Sequence, residues 1–243
     1  MKKLILLFAV AFNLNSNEFL TGSLVDYSGL IKMPNARFNN EGKVSFNYSR
    51  FDPYGKYVFQ FSPYDWFEGA LFYTDINSLG YPDFERGPGG MQSQKDKGFS
   101  LKARLFKEGE CYGLDYAFCE YLPNLAVGLV DFAGTSLTAS EYVVASKSFG
   151  RFDLTAGLGW GALGSTDNIG GNPLSILADR FDERGSGYSL GLMGGVPGVS
   201  TWFRGTTSVF GGVEYVIPKA RFYPVNSKIK LEYFYTSSLI NSL

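Results

Sequence analysis

Histidine is absent from all 243 residues, and with it go His-based catalytic triads and the commonest protein metal ligand. Only two cysteines occur, Cys111 and Cys119, and without histidine they make a poor zinc site. Net charge is nearly absent too. Against 23 Asp and Glu stand 22 Lys and Arg, leaving −1 and no basic field for nucleic acid. No internal run approaches the ~18 apolar residues that a membrane helix requires. These absences remove the usual signs of a metalloenzyme, a nucleic-acid binder and a helical membrane protein.

What remains is aromatic and glycine-rich: 16 Tyr, 22 Phe and 30 Gly, with aromatics at 17%. The apolar residues alternate with polar or small ones at the period of a β-strand. Val44, Phe46 and Tyr48 interleave with Ser45, Asn47 and Ser49. Tyr57, Phe59 and Phe61 alternate in the same way, as do Phe99, Leu101, Ala103 and Leu105. Phe152, Leu154, Ala156, Leu158 and Trp160 follow, and Ile229, Leu231, Tyr233 and Tyr235 end the series. Because side chains alternate across a strand, each segment presents one greasy face and one polar or small face.

Alternation of this kind also fits a soluble β-sandwich. The greasy rows here carry aromatics near strand ends, as interfacial girdles require, and Lys, Arg, Asp and Glu stand on the opposite rows. Tight turns (Asp52 to Gly55, Ser62 to Asp65, Phe149 to Arg151) contrast with two long polar connections, roughly Asn77 to Gly98 and Ala162 to Phe203. The fold class expected is therefore all-β: an antiparallel up-and-down outer-membrane β-barrel of about ten strands, whole or incomplete, with both long loops on one side.

Lys2 and Lys3 precede an apolar run from Leu4 to Phe12, the pattern of an export signal. Residues 1–17 are read as that signal and 18–243 as one barrel domain. In an oxidising periplasm Cys111 and Cys119 can close a small loop, and a local disulfide is expected. The expected lumen row is Lys102, Arg104, Glu141, Lys147 and Asp153. On that reading Arg at lipid-facing Leu154 costs roughly 2–4 kcal/mol, and Arg at Thr155 much less.

Three other patterns invite chemistry. Gly159 to Gly164 has dinucleotide-fingerprint spacing, but Ser165 to Pro173 cannot supply the helix on which that motif depends. Asp65, Glu68, Asp75, Asp131 and Glu141 show no spacing that sets two carboxylates across a sugar. Trp66, Trp160 and Trp202 can stack on sugars, yet an interfacial belt explains them without a ligand. A short helix is the reading for Leu174 to Phe181. No catalysis and no cofactor are expected.

Several stretches, in order, resemble one family. Gly29-Leu30-Ile31-Lys32-Met33-Pro34-Asn35-Ala36-Arg37 is similar to the segment that opens the YjbH-type domain. Tyr48 to Tyr54 (YSRFDPY), Tyr73 to Ile76, Lys95 to Phe99, Ser140 to Gly150, Leu158 to Gly161 and Phe210 to Tyr215 continue it. The resemblance implies an outer-membrane barrel protein linked to exopolysaccharide or capsule export. Its implied partners are outer-membrane lipid, polysaccharide and other export components. Members of the family are usually longer and begin at a lipobox cysteine, which this N-terminus lacks. The alternatives are a periplasmic or surface β-sandwich that binds glycan, and a polysaccharide-modifying enzyme.

Overall fold

The computed structural model describes residues 3–13, 29–80, 93–113, 119–134, 136, 138–185, 198–218 and 226–236. Its strands are β1 (Lys3–Asn13), β2 (Lys43–Phe51), β3 (Tyr54–Tyr64), β4 (Phe67–Gly80) and β5 (Ser93–Phe106). After them come β6 (Asn124–Val130), β7 (Ser140–Phe149), β8 (Phe152–Gly161), β9 (Thr207–Ile217) and β10 (Asn226–Thr236). From β2 to β10 each strand pairs antiparallel with its chain neighbour. β1, cut from the run read as an export signal, lies along the outer edge of β10. Among the described residues no helix is long and apolar enough to cross a membrane.

The result is one ten-stranded sheet in up-and-down order. Among the described residues the sheet is not closed into a barrel, because β1 and β2 are its two edges and are not paired with each other. Periodicity fixes which face of a strand is greasy, whereas edge-to-edge pairing depends on distant residues and leaves no local pattern. Nor is there a second sheet, so the sandwich alternative has no counterpart among the described residues.

β4 and β8 run in the same direction, so the connections that follow them leave at the same end of the sheet, here called the loop end. The first is shorter than its sequence suggests. β4 continues to Gly80 and β5 begins at Ser93, and residues 81–92 lie outside the described set. At the opposite end, the turn end, Gly150 takes the positive φ of 62° that the two-residue hairpin between β7 and β8 needs. The helix expected over Leu174 to Phe181 is instead two short 3-10 turns, Pro173–Ile176 and Asp179–Phe181. Gly161 ends β8 at φ 65°, and Ala162–Gly164 is one 3-10 turn with no helix for phosphate.

The concave face holds the core. Phe72, Tyr142 and Phe210 each stand directly across from a glycine on the next strand, Gly98, Gly128 and Gly157 respectively. A Cβ on any of those glycines would collide with the facing ring. Small residue opposite large ring lets the aromatic lie flat on the neighbouring strand, a device that also fixes register. These three rings pack with Val58, Ala70, Ala126 and Val144, and with Leu30, Met33, Ala36 and Phe38. The last four come from the segment before β2. One stretch of chain thus reaches strands from across the sheet, which curls around it.

Candidate functional site

Burial on this sheet is inverted relative to a soluble protein. Phe46, Phe99 and Leu154 are 65%, 48% and 47% exposed, while Glu68, Lys102, Glu214, Lys228 and Glu232 are fully buried. Charged groups leave water only when paired and hydrogen-bonded. Most of what pairs them is a strap, residues 29–39.

The strap is buried throughout except at Lys32 and Arg37, which are half-buried. It begins as a tight turn closed by a Gly29–Pro34 bridge and a Leu30 N–H to Met33 carbonyl bond of 2.9 Å. The backbone N–H groups of Ile31, Lys32 and Met33 all donate to one oxygen of Glu232, at 2.9, 2.9 and 2.8 Å. Successive N–H groups converging on an oxyanion form a nest, and here the anion is supplied by β10. Two residues earlier on the same face of β10, Lys230 Nζ donates to the Gly29 and Leu30 carbonyls at 2.6 and 2.8 Å. Lys230 also lies 3.2 Å from Glu214 on β9. One strand therefore grips the turn by its donors and its acceptors together.

Beyond the turn the other flank of the sheet takes over. Asn35 accepts from the Arg37 N–H across a short side-chain turn, and the Ala36 N–H donates to Ser146 Oγ on β7 at 2.9 Å. Arg37 Nε donates to Asp153 on β8 at 3.0 Å, and Nη1 to Glu108 at 2.7 Å. Lys102 on β5 donates to the Arg37 carbonyl at 2.6 Å and pairs with Glu68 at 2.8 Å. Glu68 on β4 accepts from the Asn39 backbone and side chain at 2.6 and 2.9 Å. Phe38 lies under both Lys102 and Arg104, 4.5 and 4.6 Å from its ring centre.

Electrostatics and packing both fix the strap. Burial pulls the Arg37 guanidinium down, but Asp153 and Glu108 outweigh it and hold its proton more firmly than usual. Burial likewise opposes charging Glu108, and Arg37 with Ser148 overcomes it, leaving that carboxyl below its usual range. Leu30, Ile31, Met33 and Phe38 are each at least nine-tenths buried. Burying such side chains stabilises by about 1.5–3 kcal/mol apiece. At Gly212 on β9 a Cβ would come within 2.6 Å of the Leu231 carbonyl on β10 and 2.7 Å of Leu30 Cδ1.

At the loop end the connection after β8 folds into a cap. Asn172 is its hub, accepting from Trp160 Nε1 at 3.1 Å and donating to the Phe181 and Phe203 carbonyls at 2.8 and 2.9 Å. The cap's charged tie to the wall is Arg184, which donates to both Glu141 oxygens at 2.6 and 2.9 Å, and Asn168 and Thr166 add hydrogen bonds to Val209 and Ser208 on β9. Glu141 also accepts from the Phe203 N–H at 3.0 Å. Under this cap Trp160 is buried although it continues the outward row of Phe152 and Leu154.

The expected lumen row divides. Lys102 and Asp153 lie on the concave face, fully buried, and Arg104 shares their row but is half-buried at the turn end, 3.4 Å from Asp65. Glu141 and Lys147 belong to the opposite row, in register with Leu129 and Leu154. Each sits near a strand end beneath a connection, which supplies its partners. Glu141 serves the cap, and Lys147 reaches Glu108 at 3.2 Å and the Leu122 carbonyl at 3.3 Å. Charge alone therefore does not mark the inner face at a strand end, where a covering connection can pair an outward-row ion.

Cys111 and Cys119 are joined in a disulfide in the connection between β5 and β6, with Cα atoms 4.9 Å apart. Of the carboxylates weighed for catalysis, Glu68 is committed to Lys102, Asp75 to Lys95 at 2.6 Å, Asp65 to Arg104 and Glu141 to Arg184. Asp131 accepts from the Thr138 N–H at 3.2 Å. Sequence reasoning missed the strap's partners Glu108, Lys230 and Glu232, and Glu214, which pairs with Lys230. For the β10 pair the signal was available, since Lys230 and Glu232 alternate with Leu231 and Tyr233.

A family model described as exopolysaccharide biosynthesis protein YbjH matches residues 23–235. The chain is 40% identical over 205 residues to the protein named "Uncharacterized lipoprotein YjbH" of Escherichia coli strain K12. That match covers 84% of this chain and 26% of the relative. No solved structure matches the chain. The strap that organises the concave face lies inside the matched span, and the chain belongs to the YjbH exopolysaccharide biosynthesis family.

Proposed function

We propose that the convex face of the sheet lies in the lipid of the bacterial outer membrane. There the chain assists exopolysaccharide or capsule secretion, without catalysis of its own, as a conduit or as a structural partner of the export machinery. The observation that carries this reading is the inverted burial. Val44, Phe46, Tyr48, Tyr57, Phe59, Leu71, Tyr73 and Phe99 lie on the exposed rows of adjacent strands, while Glu68, Lys102, Glu214, Lys230 and Glu232 face inward. A surface of that extent is a poor solvent face for a soluble monomer and a good lipid face for a transmembrane sheet. Tyr64 and Trp66, half exposed and stacked at the turn end, suit the interfacial girdle. The Escherichia coli relative is named a lipoprotein, which accords with a membrane setting.

The test is fractionation of the expressed protein, with a heat-modifiability gel on the membrane fraction. Recovery in the outer membrane with a faster-migrating unheated band is expected. Recovery as a soluble protein with no heat-dependent shift overturns the lipid-face reading.

A further inference from the structure

We propose that the strap 29–39 is a fixed internal strut, so that polymer does not thread the space enclosed by this domain. The inference rests on the membrane reading above and decides between its two branches, in favour of structural partner over conduit. A removable plug should meet its wall mainly through groups that water can replace. The strap does not. Leu30, Met33, Ala36 and Phe38 are part of the same apolar cluster as the wall residues Phe72, Tyr142 and Phe210. Withdrawing the strap would therefore empty the core and wet it in one step.

The ionic contacts point the same way. Glu232, Lys230, Lys102, Glu68 and Ser146 all hold strap backbone, with Glu68 also on the Asn39 side chain. Their four strands, β4, β5, β7 and β10, with β8 added by Asp153 on the Arg37 side chain, cover both flanks of the sheet. A segment tied to both flanks acts as a crossbeam that sets their separation. Gly212 on β9 touches the strap as well, but a Cβ there would meet the Leu231 carbonyl of β10 at 2.6 Å before Leu30 Cδ1 at 2.7 Å, so the glycine serves the close approach of two strands first.

The test is amide hydrogen exchange on the purified, otherwise unmodified protein. The strut predicts that Ile31, Lys32, Met33, Ala36 and Asn39 exchange as slowly as the central amides of β7 and β8. Exchange at least a hundredfold faster than those strands would mean that the strap leaves while the sheet stays, and would overturn the proposal. This measurement needs no membrane assay, so it stands even where fractionation fails the membrane reading.

A lock supplies the functional arm. Ala36→Cys with Ser146→Cys, oxidised, joins strap to wall where the Ala36 N–H already meets Ser146 Oγ. Undiminished secretion by cells carrying the locked protein in folded, heat-modifiable form is expected. A tenfold drop that reductant reverses would make the strap a gate and the enclosed space the route. Where the disulfide does not form, Ala36→Cys alone reports by maleimide: protection over hours supports the strut, and labelling within minutes contradicts it.

Discussion

The two ends of the sheet are both covered, and the manner differs. At the turn end the strap contributes mostly backbone and apolar side chains, and the ions that hold it belong to the strands. At the loop end the cap holds itself. Asn172 binds the cap's own carbonyls, Thr201 Oγ1 donates to Gly198 at 2.7 Å, and Arg184 to Glu141 is the main charged tie to the wall. The strap is thus part of the sheet's core, whereas the cap is an accessory folded onto its rim. Damage to the first should reach every strand, and damage to the second should stay where it is made.

The largest expected effect comes from Glu232→Ala. It strips three N–H groups of their shared acceptor and leaves Lys230 in an interior short of one carboxylate. Breaking a buried charged contact on one side costs about 3–5 kcal/mol. The heat-modifiability midpoint should fall steeply, with strands and strap losing protection together. Loss of protection confined to residues 29–39 would break the comparison, because the strap would then behave as the cap does.

Next in size are paired arginine substitutions on β8. Leu154→Arg places a charge on the convex row and should cost roughly 2–4 kcal/mol of folding into bilayers. A wet lumen would make Thr155→Arg far milder, as the strand pattern by itself suggests. The structure reverses that expectation. Thr155 is buried, and its hydroxyl lies 2.8 Å from Ser146 Oγ, which also holds the strap. Overpacking and an unpaired charge there should match or exceed the damage at Leu154. Near wild-type folding of Thr155→Arg would mean that water, not packed side chains, surrounds the strap.

Asn172→Ala tests the other end. It removes the acceptor for Trp160 Nε1 and the Leu174 N–H, and the donor for two carbonyls. About 1–3 kcal/mol is expected, since several partly buried groups lose partners and some can turn to water. Amide exchange should quicken across 162–185 and 198–206 and leave the strap unchanged. A global drop in the unfolding midpoint would show that the cap, too, is part of the core.

These contrasts also explain what could be read from the chain. The strand rows around Phe46, Phe59, Phe99 and Leu154 were legible because a two-residue period survives in any window of six or seven residues. The up-and-down order followed from the tight turns. The concave site was only half legible. Lys102 and Asp153 announce themselves as charges on the polar row, but Glu141 and Lys147 look identical to them until the ends of β7 are known to lie beneath a cap and a loop. The strap was seen only as a family signature. Its role depends on Glu232 and Lys230, some two hundred residues distant, and no local pattern encodes that meeting.

The smallest effect separates the two ends by pH. Glu108 sits at the turn end with Arg37, Lys147, Ser148 and, nearby, Asp153. Its carboxyl titrates below its ordinary value despite burial, because Arg37 and Ser148 favour the charged form. A depressed carboxylate adds stability that is complete above its unfolded pKa, about 4.3, and is lost as pH falls through the lower folded value. The clamp on Arg37 should therefore loosen only in acid. Glu108→Gln should lower the unfolding midpoint at neutral pH and flatten its acid limb, so that the variant and the wild type converge as pH falls towards 3. If the acid limb keeps its full slope in Glu108→Gln, the sensitive carboxylates lie elsewhere. The strap would then owe its seat to Glu232 and Glu68, gripping its backbone, more than to the fork of Arg37.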